Sequence, residues 1–273
     1  MDSVIPFSFL FNHIMVIPAT VDDKERKFIF DTGIGITVIT SAFAKNIDAK
    51  TKGSYSGKRM SGQIISIPLT ELQKTRVGPI ERNEFTVGVF DSSGFPTELN
   101  EISGILSPDY FEDVIFTVDY ENSEIMLRES TSKIEDPCDF VVPLDIDKTD
   151  HTISIFINAV TPSGRKVRLE LDSGSDILIL NDRLMNELGI NTEDPHIKIL
   201  RGVDETGGNY VRYITALQGK FAIAGAEEIF QINPRVVFQD IVYEGLLGND
   251  FLRNYNVTFD LKLSKSGFSR FGK

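Results

Sequence analysis

The chain has one cysteine, Cys138, no tryptophan and three histidines among its 273 residues. A lone cysteine excludes an intramolecular disulfide. That fits a reducing compartment and makes the cytoplasm the expected location. His13, His151 and His196 lack ligand spacing, so no zinc site is expected. No apolar run approaches the roughly 18 residues of a membrane span. Positive charge is scarce: 28 Lys and Arg against 40 Asp and Glu leave a formal net charge of −12. Nucleic-acid binding needs a cationic footprint, and this composition argues against it. The acidic surplus reads as a soluble surface. The N-terminal segment lacks a positive region, and Asn12 and His13 break the apolar run that follows, so no signal peptide is expected.

What the chain does contain is a repeated stretch. Residues 28–40 read Phe-Ile-Phe-Asp-Thr-Gly-Ile-Gly-Ile-Thr-Val-Ile-Thr, and residues 168–180 read Arg-Leu-Glu-Leu-Asp-Ser-Gly-Ser-Asp-Ile-Leu-Ile-Leu. Asp31 and Asp172 hold the same place, 141 residues apart. Each carboxylate is wedged between two apolar runs, where an unpaired charge is costly. The same offset carries Gly104–Phe111 onto Gly245–Leu252, Phe116–Tyr120 onto Val257–Leu261, and Ile14–Ile17 onto Ile155–Asn158. An Asp-Thr/Ser-Gly triplet alone is a weak signal. Four segments in one register indicate an internal duplication, with a period far too long for a solenoid. Two similar units follow, 1–135 and 136–273, each within the usual size of a domain.

Many short apolar or alternating runs separated by turn residues predict an all-β fold with short helices. Strands are expected over Phe7–Ile17, Lys27–Asp31, Gln63–Leu69, Phe85–Phe90, Val114–Asp119 and Glu124–Leu127. In the second unit they are expected over His151–Val160, Val167–Leu171, Lys220–Ala224 and Arg235–Phe238. Pro18–Lys27 reads as a polar turn, and Glu129–Pro143 as the linker between units. Ser41 is the expected cap of a short helix through Ile47. Asn181 or Asp182 caps another through Leu188, stopped by Gly189. Leu200–Tyr213 reads as a hairpin tipped at 206–209.

Asp31-Thr32-Gly33 and Asp172-Ser173-Gly174, with the later segments from Gly104 and Gly245, resemble the aspartic protease superfamily. The small units and the acid at Asp176 make the chain similar to a fused pair of retropepsin-like units. The resemblance implies two β-barrel lobes related by a pseudo-twofold axis, with the active site at their interface. It implies catalytic aspartates Asp31 and Asp172, and a supporting loop of Thr32, Gly33, Ser173, Gly174 and Asp176. It also implies glycine-bearing flaps near Ser56, Gly57 and Gly62 and near Gly202, Gly207 and Gly208. The substrate would be a peptide bound extended, by strand addition, to a monomer with pseudo-dimeric lobes and no cofactor. Two departures stand out. Gly35 is expected to deprive Asp31 of the prop that Asp176 offers Asp172. Ser107, where the second copy has Gly248, is expected to crowd the loop under Asp31.

Simpler readings hold elsewhere. Asp119 and Asp260 precede turns and read as structural; Asp109 and Asp250 read as helix caps. Residues 145–150 begin like a calcium loop, but His151 and Phe156 occupy the required Gly and Glu positions. Residues 53–58 lack phosphate-loop spacing. Two function classes remain: an aspartic endopeptidase, and a peptide-binding module that keeps the fold without the activity.

Overall fold

The computed structural model describes residues 3–94, 96–129, 133–135, 138–203 and 208–272. Strands dominate, and among these residues α-helix is confined to Ser41–Asn46 and Asn249–Leu252. No described helix is long and apolar enough to cross a membrane.

An eight-stranded sheet uses only residues 8–106. At its centre Lys24–Phe30 runs parallel to Ile102–Leu106, which pairs antiparallel with Val38–Thr40. Val38–Thr40 in turn runs parallel to Ile80–Phe90. A ten-stranded sheet uses residues 145–247, and its centre repeats this wiring. Lys166–Leu171 is parallel to Gly245–Leu247, which is antiparallel to Leu178–Asn181, itself parallel to Arg235–Gln239. The first strand of each set ends in three consecutive buried residues, Phe28–Phe30 and Leu169–Leu171. Such runs fit strands covered on both faces. Asp31 and Asp172 come immediately after them.

A third sheet draws on both halves. Its order is Ser3–Pro6, Glu124–Glu129, Val114–Asp119, Asn256–Asp260, Lys265–Ser269, Phe140–Pro143. Val114–Asp119 and Asn256–Asp260 meet antiparallel about Thr117 and Thr258, whose hydroxyls are 2.8 Å apart. Phe116 stacks on Phe259 at 4.8 Å between ring centres. Phe30, one residue before Asp31, packs edge-on to Phe111 at 5.5 Å and to Phe116 at 5.9 Å. The aromatic core therefore runs from the shared sheet to the foot of the first aspartate loop.

Several expectations need correction. Pro18–Lys27 is not a turn. Strand Ile14–Val21 continues through Pro18, which lies on the exposed face while Met15, Ile17, Ala19 and Val21 are buried. The reversal is the pair Asp22 and Asp23, both with positive φ. The helix expected after Asn181 is one 3-10 turn, Asp182–Leu184, which Asn181 does cap. Helix Ser41–Asn46 is capped by Thr40, whose hydroxyl accepts from Phe43 N–H, and not by Ser41. The expected linker is only partly a linker. Phe140–Pro143 is a strand of the shared sheet, Ile134 is buried, and residues 130–132 and 136–137 lie outside the described residues.

If the Phe116–Phe259 stack joins the halves, Phe116→Ala should destabilise the whole chain by about 3–5 kcal/mol in one cooperative urea transition. Separate melting of one half in the variant would contradict this.

Candidate active site

Each aspartate amide donates to the parallel neighbour: Asp31 N–H to Leu106 O and Asp172 N–H to Leu247 O, both at 3.1 Å. The chain then turns, and the loops from the two halves meet. The Gly174 N–H lies 3.0 Å from Asp172 Oδ1 and 3.1 Å from Asp31 Oδ1, so one amide serves both carboxylates. Gly33 N–H adds a bond to Asp31 Oδ1 at 2.8 Å, and Ser175 N–H one to Asp172 Oδ1 at 3.0 Å. The approach leaves no room for a side chain. A Cβ on Gly174 would fall 2.4 Å from Asp31 Oδ2, and one on Gly33 2.5 Å from Asp172 Cγ.

Beneath the pair the loops are fastened reciprocally. Thr32 N–H donates to Ser173 Oγ and Ser173 N–H donates to Thr32 Oγ1, each at 3.0 Å. Thr32 Oγ1 donates onward to Leu171 O at 2.7 Å. Both side chains are buried.

The two carboxyls differ in proton affinity. Burial raises Asp31, but the Gly33 and Gly174 N–H groups and a hydrogen bond from Asp172 pull it back. Burial raises Asp172 further, helped by the charges of Asp31 and Glu170. Like charges this close share a proton rather than ionise together. Asp172, raised the more, is the member favoured to hold it, and Asp31 the one favoured as the anion.

Residues the sequence did not single out complete the support. Asn249, fully buried, donates through Nδ2 to Ser173 O at 2.6 Å and to His13 O at 2.9 Å. Its Oδ1 accepts from the Tyr120 hydroxyl at 2.9 Å, and burial raises that hydroxyl's pKa. Asn249 follows Gly248 in the repeat, where the first copy has Pro108; that mismatch was the one sequence signal.

The same mismatch explains Ser107, which does not crowd the loop. In the second half Asn249 N–H donates to Ser175 O and Asp250 N–H to Asp176 O, both at 2.8 Å. They draw the loop down until a Cβ on Gly248 would be 2.6 Å from Ile177 O. Pro108 has no N–H to do this. The first loop stands off, and wholly buried Ser107 fits. Its N–H donates to Thr37 Oγ1 at 3.0 Å, and Thr37 Oγ1 makes a long 3.4 Å bond to Asp109. Asp109 is thus more than a cap: it is a half-buried partner of Thr37, pushed up to about 6 mainly by desolvation. The prop expected from Asp176 is not the support either. Asp176 is exposed, while Asp172 is held by the Gly174 and Ser175 amides. Gly35 accepts from Ile153 N–H across the halves at 2.8 Å.

The two glycine-bearing hairpins have different partners. Gly53–Lys58 and Ile64–Val77 pair with Ser56 opposite Ser66 and Gly57 opposite Ile65. Gly62 sits at the tip with φ +84°. There Val242 N–H, from the second half, donates to Met60 O at 2.9 Å. The other hairpin pairs Lys198–Val203 with Asn209–Ala216, with Gly202 opposite Tyr210. Gly208 precedes its second strand, and Gly207 lies outside the described residues. Between each aspartate loop and its hairpin is an apolar cluster separate from the main core. One comprises Ile36, Val38 and Leu69 with Ile34, Tyr55 and Ile67. The other comprises Ile179, Val237, Ile241 and Leu246 with Ile177, Tyr243 and Met60 of the first hairpin.

Two measurements probe this support. Thr32→Val strands the Ser173 N–H and Leu171 C=O in the interior and should cost about 1–3 kcal/mol for each in urea unfolding. Thr32→Ser should restore most of it. Asp109 has a raised folded pKa, about 6 against 3.8, so its contribution to stability is full below 3.8 and is lost as pH rises through about 6. The wild type should therefore lose up to about 3 kcal/mol over that window that Asp109→Asn does not lose.

No curated protein matches the chain. Residues 17–110, which include Asp31, match the family model described as aspartyl protease. That match supports assignment to an aspartyl protease family.

Proposed function

We propose that the chain is an aspartic endopeptidase acting through Asp31 and Asp172. In this reading residues 1–135 and 136–273 are duplicated, retropepsin-like lobes of one monomer, working in a reducing compartment. Asp31, the better anion, takes a proton from a water held between the carboxyls. Asp172, which keeps its proton, donates a hydrogen bond to the scissile carbonyl oxygen as charge develops there. The shared-proton dyad is the established chemistry of aspartic proteases. The observation that carries the reading is the Gly174 N–H bonded to both carboxylates, since it holds two acids from distant parts of the chain side by side. The first hairpin supports it too: its tip is bonded to the second half through Met60 O, and as a lid it would exclude water and strengthen the charge interactions beneath it. An extended peptide would lie between that hairpin and the pair, flanked by the two apolar clusters.

One proton must remain on the pair for turnover. Anything that raises the pKa of Asp172 keeps that proton in place at higher pH, so activity should persist toward neutral pH and fall on the alkaline side as the proton leaves. Cleavage of an unfolded protein between pH 3 and 7, with and without pepstatin, tests the reading. Asp31→Asn and Asp172→Asn should each lower kcat/KM by on the order of a thousandfold with folding intact. Wild-type turnover in either variant would refute the shared site. Peptide binding without any cleavage by the wild type would instead support the binding-module reading.

A further inference from the structure

One buried acid beside the pair has no role in this mechanism. Alternation along Lys166–Leu171 sends Leu169 and Leu171 into the main core. Arg168 and Glu170 then share the opposite face, the one that continues to Asp172. In register, Glu170 is flanked by Phe156 on one side and Leu246 on the other. Leu246 belongs to the second apolar cluster, with Ile179, Tyr243 and the hairpin residue Met60. The Glu170 carboxyl therefore lies where that wall meets the aspartates: its charged form is opposed by the charge of Asp31 and would act on Asp172.

Its surroundings disfavour its charged form. Glu170 is 5 % exposed. The Ser154 hydroxyl bonds to it and is shared with the Tyr243 hydroxyl. Arg168, the nearest cation on its own strand, is committed elsewhere. Its guanidinium bonds Asp145 at 2.5 Å and Asp147 at 3.0 Å and lies 3.5 Å over the Phe156 ring. The other charged neighbours that act on Glu170 are Asp31 and Asp147. Burial pushes its carboxyl up to about 8. In the first half the residue 141 earlier is Ile29, which pairs with Ile105 of the first apolar cluster as Glu170 pairs with Leu246. One wall is apolar throughout; the other has a carboxyl without a cation, in a negative field.

Burying its charged form is unfavourable, so without a partner the carboxyl stays protonated. A cationic side chain would supply the missing charge, in a site where removal from water strengthens the pairing. Resting on the endopeptidase reading, we propose that Glu170 sets substrate preference. It receives a lysine or arginine side chain next to the scissile bond, while the first-half wall takes an apolar side chain on the other side.

The test is binding, so it does not depend on turnover. Peptides with a non-cleavable reduced amide carry Lys or Leu on either side of that bond, and their Kd values are measured calorimetrically for the wild type, Glu170→Gln and Glu170→Ile. The wild type should bind the Lys peptide at least about tenfold tighter than its Leu counterpart on one side only. Glu170→Gln should erase that ratio, and Glu170→Ile should invert it. Equal binding by the wild type, or a Lys preference that survives Glu170→Gln, would overturn the assignment of Glu170. Because the wild-type ratio is read directly, a variant that fails to fold does not shield the proposal. Lys preference in a protein that cleaves no peptide would refute the protease reading and leave Glu170 standing. Cleavage without the preference would do the reverse, and no binding by any peptide would overturn both.

Discussion

A single amide proton, on Gly174, lies within hydrogen-bonding distance of two carboxylates that belong to different parts of the chain. Much of the architecture follows from that closeness. Two acids at this range repel, so their loops need fastening that does not depend on the acids themselves. The Thr32 and Ser173 bonds supply it, and being buried they are not weakened by water. The loops must also meet without side chains between them, which confines positions 33 and 174 to glycine. Loops bound this tightly cannot drift with independent domains. The halves are accordingly joined a second time, by the shared sheet with its Phe116–Phe259 stack.

The two loops reach similar positions by different means. In the second half, backbone amides at Asn249 and Asp250 pull the loop down. In the first, Pro108 cannot donate, and Thr37 takes over through its hydroxyl, with half-buried Asp109 behind it. Backbone bonds are insensitive to pH, whereas a carboxyl is not. The first loop is thus the half whose support changes with acidity. This is a consequence of two substitutions, Ser107 for glycine and Pro108 for asparagine, that fit only as a pair.

How much of this could be read in the sequence depends on how local each cause is. Asp31 and Asp172 stood out because a charge on an apolar run is locally anomalous, and the 141-residue register tied them to other segments. The β class followed from short alternating runs. Element boundaries failed where tertiary partners overrode local chemistry. Pro18 reads as a breaker, but no strand claims an N–H from it on one side: pairing with Ser8–Leu10 ends at Val16, and pairing with Ile64–Val77 begins at Thr20. Residues 185–188 read as helix, yet the chain turns after Leu184. Asn249, Tyr120, Thr37 and Asp109 gave little warning, since each matters only through a partner between 70 and 240 residues away. Glu170 was in plain view within the second repeat, but its anomaly appears only when Ile29 is set beside it and both are seen to border the same kind of wall.

That comparison bears on how a symmetric frame acts asymmetrically. Identical loops would give two equivalent carboxyls, and nothing would decide which one holds the proton. Here the decision is made by surroundings. Each carboxyl accepts two backbone N–H bonds, Asp31 from Gly33 and Gly174 and Asp172 from Gly174 and Ser175, but Asp172 also has Glu170 two residues back on its own strand. That neighbouring acid raises Asp172 the more, which favours the shared proton there. The acid that tilts this balance also stands at the edge of the second apolar wall. Proton placement and side-chain preference are therefore coupled through one residue: a cation brought to Glu170 would hold it ionised, and an ionised Glu170 makes it harder still for Asp172 to lose its proton.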